Sequence, residues 1–241
     1  MTTTTHRDWP SQLVLPGQTA APEGPVDMAM MYVMHHAFRR DLAAFAAAAT
    51  STPVRERATW RALAERWELF ATALHHHHRG EDAGLWPALL ERADEEGRAT
   101  LEAMEAEHAE IDPVLTACAA GFARLAEQPD EDARAALAVR LVAARESLGR
   151  HLRHEETEAI TLVQRHLTAQ DWHRIEQEHF RGDDIGLRQV LTLVPWVLHQ
   201  LPAEARRRLF AEPGGRAHHV MWRATRARFE RRERLAFRFV A

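Results

Sequence analysis

Four stretches of this chain place apolar residues three and four positions apart, the spacing that gathers side chains along one face of an α-helix. The first runs Met28, Met31, His35, Phe38, Leu42, Phe45 and Ala49, and the second Trp60, Leu63, Trp67, Phe70, Leu74, His77 and Glu81. The third runs Leu101, Met104, His108, Ile111, Leu115, Cys118, Phe122 and Leu125. The fourth runs Leu137, Leu141, Ala144, Leu148, His151, Glu155, then Glu158 or Ala159, and Leu162. Four such stripes with short joints, and no alternating β-branched runs, predict an all-α fold: an up-down-up-down four-helix bundle.

The rest of the chain divides around these stripes. Residues 1–26 hold four prolines and two glycines and read as an extended N-terminal arm. Asp27 is a plausible N-cap, Pro53 suits the first turn of the second helix, and Pro113 is a point where the third could kink. The bundle is expected over 27–167, with a C-terminal helical extension, 168–241, packed on it. After Pro213 that extension carries arginines 216, 223, 226, 228, 231, 232, 234 and 238 against only Glu230 and Glu233. This is either a solvated face or a docking surface for an acidic partner. Over the whole chain the formal charge is −4, which gives no net pull toward nucleic acid. A single cysteine, Cys118, no signal segment and no transmembrane run point to a cytoplasmic protein.

Each stripe must face the bundle axis, so His35, His77, Glu81, His108, His151 and Glu155 converge in an apolar interior. Unpaired carboxylates are costly there, the chain contains no lysine, and the stripes contain no arginine. Metal ions satisfy imidazole nitrogen and carboxylate oxygen together, and two ions suit six donors better than one. In His77-x-x-x-Glu81 and His151-x-x-x-Glu155 the partners lie one turn apart, ~6 Å on one face. Two hairpins, each with one His followed by His-x-x-x-Glu, predict a pseudo-twofold site in which the glutamates bridge and two histidines serve each metal. His36, His75, His76, His78 and His154 fall off the stripes and are expected at the surface or around the ligands. Asp112 and Glu156 lie near ligand level and are alternatives.

The stretches His35–Leu42, His75-His76-His77-His78-Arg79-Gly80-Glu81-Asp82 with Leu85-Trp86-Pro87, Glu107-His108 and His151-Leu152-Arg153-His154-Glu155-Glu156 resemble hemerythrin-like proteins, the HHE cation-binding domain family. The extension around Leu193-Val194-Pro195-Trp196 is similar to those of actinobacterial members. The resemblance implies a non-haem di-iron site on His35, His77, Glu81, His108, His151 and Glu155, with manganese or zinc as other occupants. Oxygen-carrying members have five histidines, including His-x-x-x-His on the third helix. Here Asp112 follows His108 by four and Met104 precedes it by four. Their fourth helix spaces His and Asp by five, whereas here the stripe favours Glu155 over Glu156. The missing histidine implies open positions on the irons. An oxidoreductase reacting with hydrogen peroxide or dioxygen is therefore expected, and a non-catalytic carrier or sensor of oxygen, nitric oxide or iron is the alternative. Tyr32, one turn before His35, would sit near the metals as a hydrogen-bond or electron donor.

Overall fold

The computed structural model describes residues 9–180 and 186–240, and its regular elements are all helical, with no strand among the described residues. Helix α1 (Ala29–Ser51) leads to α2 (Arg57–Gly80), which passes through a π-helical turn (Glu81–Leu85) into α3 (Trp86–Leu90). Helix α4 (Glu95–Glu127) follows, then α5 (Glu131–His154), which passes through a second π-helical turn (Glu155–Ala159) into α6 (Ile160–His166). α1 packs on α5, α2 on α4, and α4 on α5, as in the expected bundle.

Local chemistry accounts for the starts and stops. Asp94 and Asp130 cap α4 and α5 by accepting from Gly97 N and Ala133 N, each at 2.9 Å, and acidic residues fill both first turns. The expected starts of α1 and α2 shift. Asp27 Oδ1 accepts from Ala29 N at 2.9 Å, but Met28 occupies the N-cap position. Pro53 lies outside α2, in a connection closed by its own carbonyl, which accepts from Glu56 N and Trp60 Nε1. α4 runs on through Pro113.

The interior forms two apolar clusters. One is aromatic, with Phe38, Phe45, Trp60, Trp67, Phe70 and Phe122. The other holds Tyr32, Leu85, Trp86, Met104, Ile160 and Val163. Along every bundle helix the His and Glu positions fall where one cluster gives way to the other. The arm and the extension complete both. From the arm come Leu13, Leu15 and Val26, tied down where Val26 N donates to Gln164 Oε1 (3.0 Å) and Gln164 Nε2 donates to Val26 O (2.9 Å).

The extension comprises α7 (Ala169–Ile175), a third π-helical turn (Glu176–Phe180), α8 (Leu187–Leu198), α9 (Ala203–Ala211) and α10 (Gly215–Ala236). Its Trp196, Phe229 and Ala236 enter the aromatic cluster, and Leu198, Leu201 and Leu209 the other. A buried ionic network fastens it. Arg66 donates to Asp41 Oδ2 (2.7 Å) and to Glu233 Oε1 (2.6 Å), while Trp196 Nε1 donates to Asp41 Oδ2 (2.7 Å). Burial opposes the Asp41 charge, yet Arg66 and Arg40 hold its carboxyl below the usual range. All eight arginines after Pro213 are exposed, a disposition that a solvated face and an acidic partner both require. No helix among the described residues is long and apolar enough to cross a membrane.

The turn Glu176–Phe180 lies against the end of α2 and the π turn that follows it, at Gly80 and Gly84. A Cβ on Gly80 would come within 2.9 Å of the Phe180 ring, and one on Gly84 would collide with His179. His76 Nε2 lies 2.8 Å from the Phe180 carbonyl oxygen and fixes the turn. Gly84→Ala should therefore raise hydrogen exchange across 176–180 while leaving α4 and α5 protected. Asp41→Ala, which leaves Arg66 buried without its main partner, should cost about 3 kcal/mol in urea unfolding.

Candidate metal centre

Seven side chains meet between the two apolar clusters. His35 comes from α1, His77 and His78 from the last turn of α2, Glu81 from the start of the first π turn, His108 from α4, His151 from α5 and Glu155 from the start of the second π turn. All are at most 4% exposed. Their donor atoms form two overlapping groups, each within 4.8 Å: His35, His77, Glu81 and Glu155, and His78, Glu81, His108 and His151. Glu81 belongs to both. Both carboxylates begin a π-helical turn, a local widening of the helix that recurs at functional sites.

The six residues expected from the stripes all stand in these groups, but their partition differs. Three histidines, not two, accompany the second group, because His78 is buried (3% exposed) and its ring stacks on His108 at 3.9 Å between centroids and 8° between planes. Spacing held the missed signal: His78 precedes Glu81 by three residues, which also puts the two on one helix face. Glu156 stands outside both groups and instead holds His35, while Asp112 is exposed and in neither. His154, expected at the surface or around the ligands, is partly exposed and reaches Glu107.

Carboxylates outside the cluster orient three of the rings. His35 Nδ1 lies 3.0 Å from Glu156 Oε1, His108 Nδ1 2.8 Å from Asp82 Oδ1, and His151 Nδ1 2.8 Å from Glu107 Oε2. A ring that donates its Nδ1 proton outward presents a bare Nε2 lone pair inward. His108 Nε2 and His151 Nε2, so oriented, face each other at 3.1 Å. Two lone pairs at that distance repel unless a proton or a cation stands between them. Glu156 is itself held by Arg39, which donates to both its oxygens at 2.7 and 2.9 Å, and by Thr19 N at 2.7 Å.

The atoms that point inward lack hydrogen-bond partners. Neither oxygen of Glu81 or Glu155 has one, nor do His35 Nε2, His77 Nε2 or the two nitrogens of His78. His77 Nε2 approaches Glu81 Oε1 and His35 Nε2 approaches Glu155 Oε2, both at 3.1 Å, without hydrogen-bond alignment. Such a set of orphaned, buried nitrogen and oxygen donors is costly as it stands and matches the needs of metal cations.

Electrostatics lead to the same balance. Burial, reinforced by neighbouring imidazoles, holds His77 and His78 well below the ordinary histidine range, and burial lowers His151. Burial also disfavours the His35 imidazolium, but Glu155 and Glu156 outweigh it and lift this ring to about 9. Glu155 is disfavoured by burial and held down to about 2 by His35, whereas burial and the charge of Glu155 raise Glu81 well above the carboxylate range. The metal-free cluster thus keeps His77, His78 and His151 neutral and the shared Glu81 carboxyl protonated, with His35 and Glu155 as an internal ion pair; metal binding would displace the protons of Glu81 and His35. Tyr32 is 1% exposed, its hydroxyl has no partner, and burial followed by Glu156 and Glu155 raises its pKa.

The model of one protein family, the hemerythrin HHE cation-binding domain, matches residues 27–163. That span exceeds half of the chain and contains all seven side chains of the cluster. No curated protein and no solved structure matches the chain. With a helical bundle around a His/Glu cluster that could hold metal, and a family model covering both, this chain belongs to the hemerythrin HHE cation-binding domain family.

Proposed function

We propose that this is a non-haem di-iron protein, an oxidoreductase that reacts with hydrogen peroxide or dioxygen. His35, His77, Glu81 and Glu155 would hold one iron, and His78, Glu81, His108 and His151 the other. One observation carries the reading: Glu81, with both oxygens lacking hydrogen-bond partners, is shared by two donor groups. Mixed imidazole and carboxylate donors suit iron, whereas structural zinc is mostly held in a closed four-coordinate tetrahedron rich in thiolate. Bound iron supplies redox chemistry and coordination positions open to a small ligand.

The protein's own groups set the conditions for that chemistry. Glu156, Asp82 and Glu107 each take an outward Nδ1 proton, fixing the ring tautomers and aiming lone pairs at the centre. Glu107 also accepts from His154, a partly exposed ring, so a hydrogen-bonded path for protons leads from His151 toward solvent. Tyr32 stays a neutral phenol in the second apolar cluster and keeps its proton available for donation. Phe180, 6.2 Å from the His77 ring, helps to keep water from that side. Cys118 is buried, and its thiol, pushed up to about 12, takes no part; a cytoplasmic location fits such a reduced thiol.

A second reading, reversible carriage or sensing of oxygen, nitric oxide or iron, draws support from His78. This ring supplies from α2 the fifth histidine that the third helix lacks, and so removes the argument for an incomplete donor set.

Elemental analysis should find two irons per chain, with about half of that left in His78→Ala and almost none in Glu81→Ala. Full loading of Glu81→Ala would exclude a shared carboxylate. Loaded protein should consume peroxide or oxygen with repeated turnover; a stable, reversible adduct spectrum without turnover would select the second reading instead. Because His77, His78 and His151 lie below the ordinary histidine value of 6.5, they stay neutral to lower pH. Metal should accordingly stay on the group of His78, Glu81, His108 and His151 as pH falls through 6.5, and leave first from the group that contains His35, whose raised pKa lets protons compete earlier, read by chelator titration.

A further inference from the structure

A cavity of about 230 Å³ opens between the arm, α1 and α5, on the outer side of Arg39. Arg39, Arg145 and Arg153 form its walls, and Leu42 and Leu148, each 1% exposed, its apolar floor. The Arg39 charge is spent on Glu156. Arg145 and Arg153 form no ion pair among the described residues, so two cations face one cavity without a counter-charge.

Between them stands Gly149, which also lines the cavity. The order Arg145-x-x-x-Gly149-x-x-x-Arg153 puts all three on one face of α5, one turn apart. Glycine inside a helix is destabilising relative to alanine. Packing does not demand it here, because a Cβ at this position would meet nothing within 4 Å. The missing side chain leaves open space between two guanidinium groups. Guanidinium groups pair with phosphate oxygens through charge-assisted, often bidentate hydrogen bonds.

We propose that this cavity binds a small organic phosphate, its phosphate held between Arg145 and Arg153 and its apolar part resting on Leu42 and Leu148. The site lies apart from the seven-residue cluster and requires no metal. Its success or failure is therefore independent of the di-iron reading.

Isothermal titration of the full chain with inorganic phosphate and with phenyl phosphate tests it. One-to-one binding is expected, with phenyl phosphate about tenfold tighter because its ring is withdrawn from water into the cavity. Arg145→Gln and Arg153→Gln, at exposed positions that leave the core intact, should each weaken phenyl phosphate about tenfold. Gly149→Leu should abolish binding without changing any charge. Neutralising Arg231 and Arg234 on α10 should leave it unchanged. The proposal is overturned by undetectable binding, by phenyl phosphate binding no tighter than phosphate, by undiminished binding in Gly149→Leu or Arg145→Gln, or by loss on the α10 substitutions.

Discussion

Everything in this molecule is arranged around the cost of burying seven ligating side chains between two apolar clusters. An imidazole or carboxylate without a partner in such surroundings is strongly disfavoured, and here the inward-facing atoms of Glu81, Glu155, His77 and His78 have none. The bundle can keep them only because they share their neighbourhood: one set of charges and lone pairs, in two overlapping groups joined at Glu81. A belt of that kind also fixes helix register. Sliding any one helix by a turn would carry its histidine into an aromatic or aliphatic layer and bring a leucine or phenylalanine to the belt.

Support for the belt comes from outside it. Asp82, Glu107 and Glu156 orient three rings, and Glu156 is in turn held by Arg39 from α1 and by a backbone amide of the arm. The arm, built of breakers and without helix among its described residues, is thus part of the scaffold around His35. The extension acts through the Asp41–Arg66–Glu233 network and the Phe180 turn seated on Gly80. A buried ion pair of this sort adds little net stability over an apolar replacement, but it penalises any packing in which only one partner is buried. It therefore serves to specify where α8 and α10 dock.

The two π-helical turns belong to the same logic. Each begins at the carboxylate of its helix, Glu81 or Glu155, directly after the last regular turn that carries the histidines. An extra residue in the turn rotates the downstream part of the helix relative to the upstream part. In this way Asp82 reaches His108 and Glu156 reaches His35, while Glu81 and Glu155 still point inward.

Periodicity in the amino-acid sequence was enough to establish four helices, their inward faces and six of the seven clustered side chains, because burial demands one apolar stripe per helix and any polar residue on that stripe stands out. It also showed the breaker-rich arm and an arginine-rich last segment. It did not reach His78, the supporting roles of Glu156, Asp82 and Glu107, or the cavity beneath Arg145 and Arg153. Those depend on the surroundings of each helix 100° away from its stripe, and neighbouring helices decide them. His78 and His76 flank His77 in the same run of histidines; one is buried against α4 and the other reaches the Phe180 carbonyl only because the tertiary packing puts different partners on their two sides.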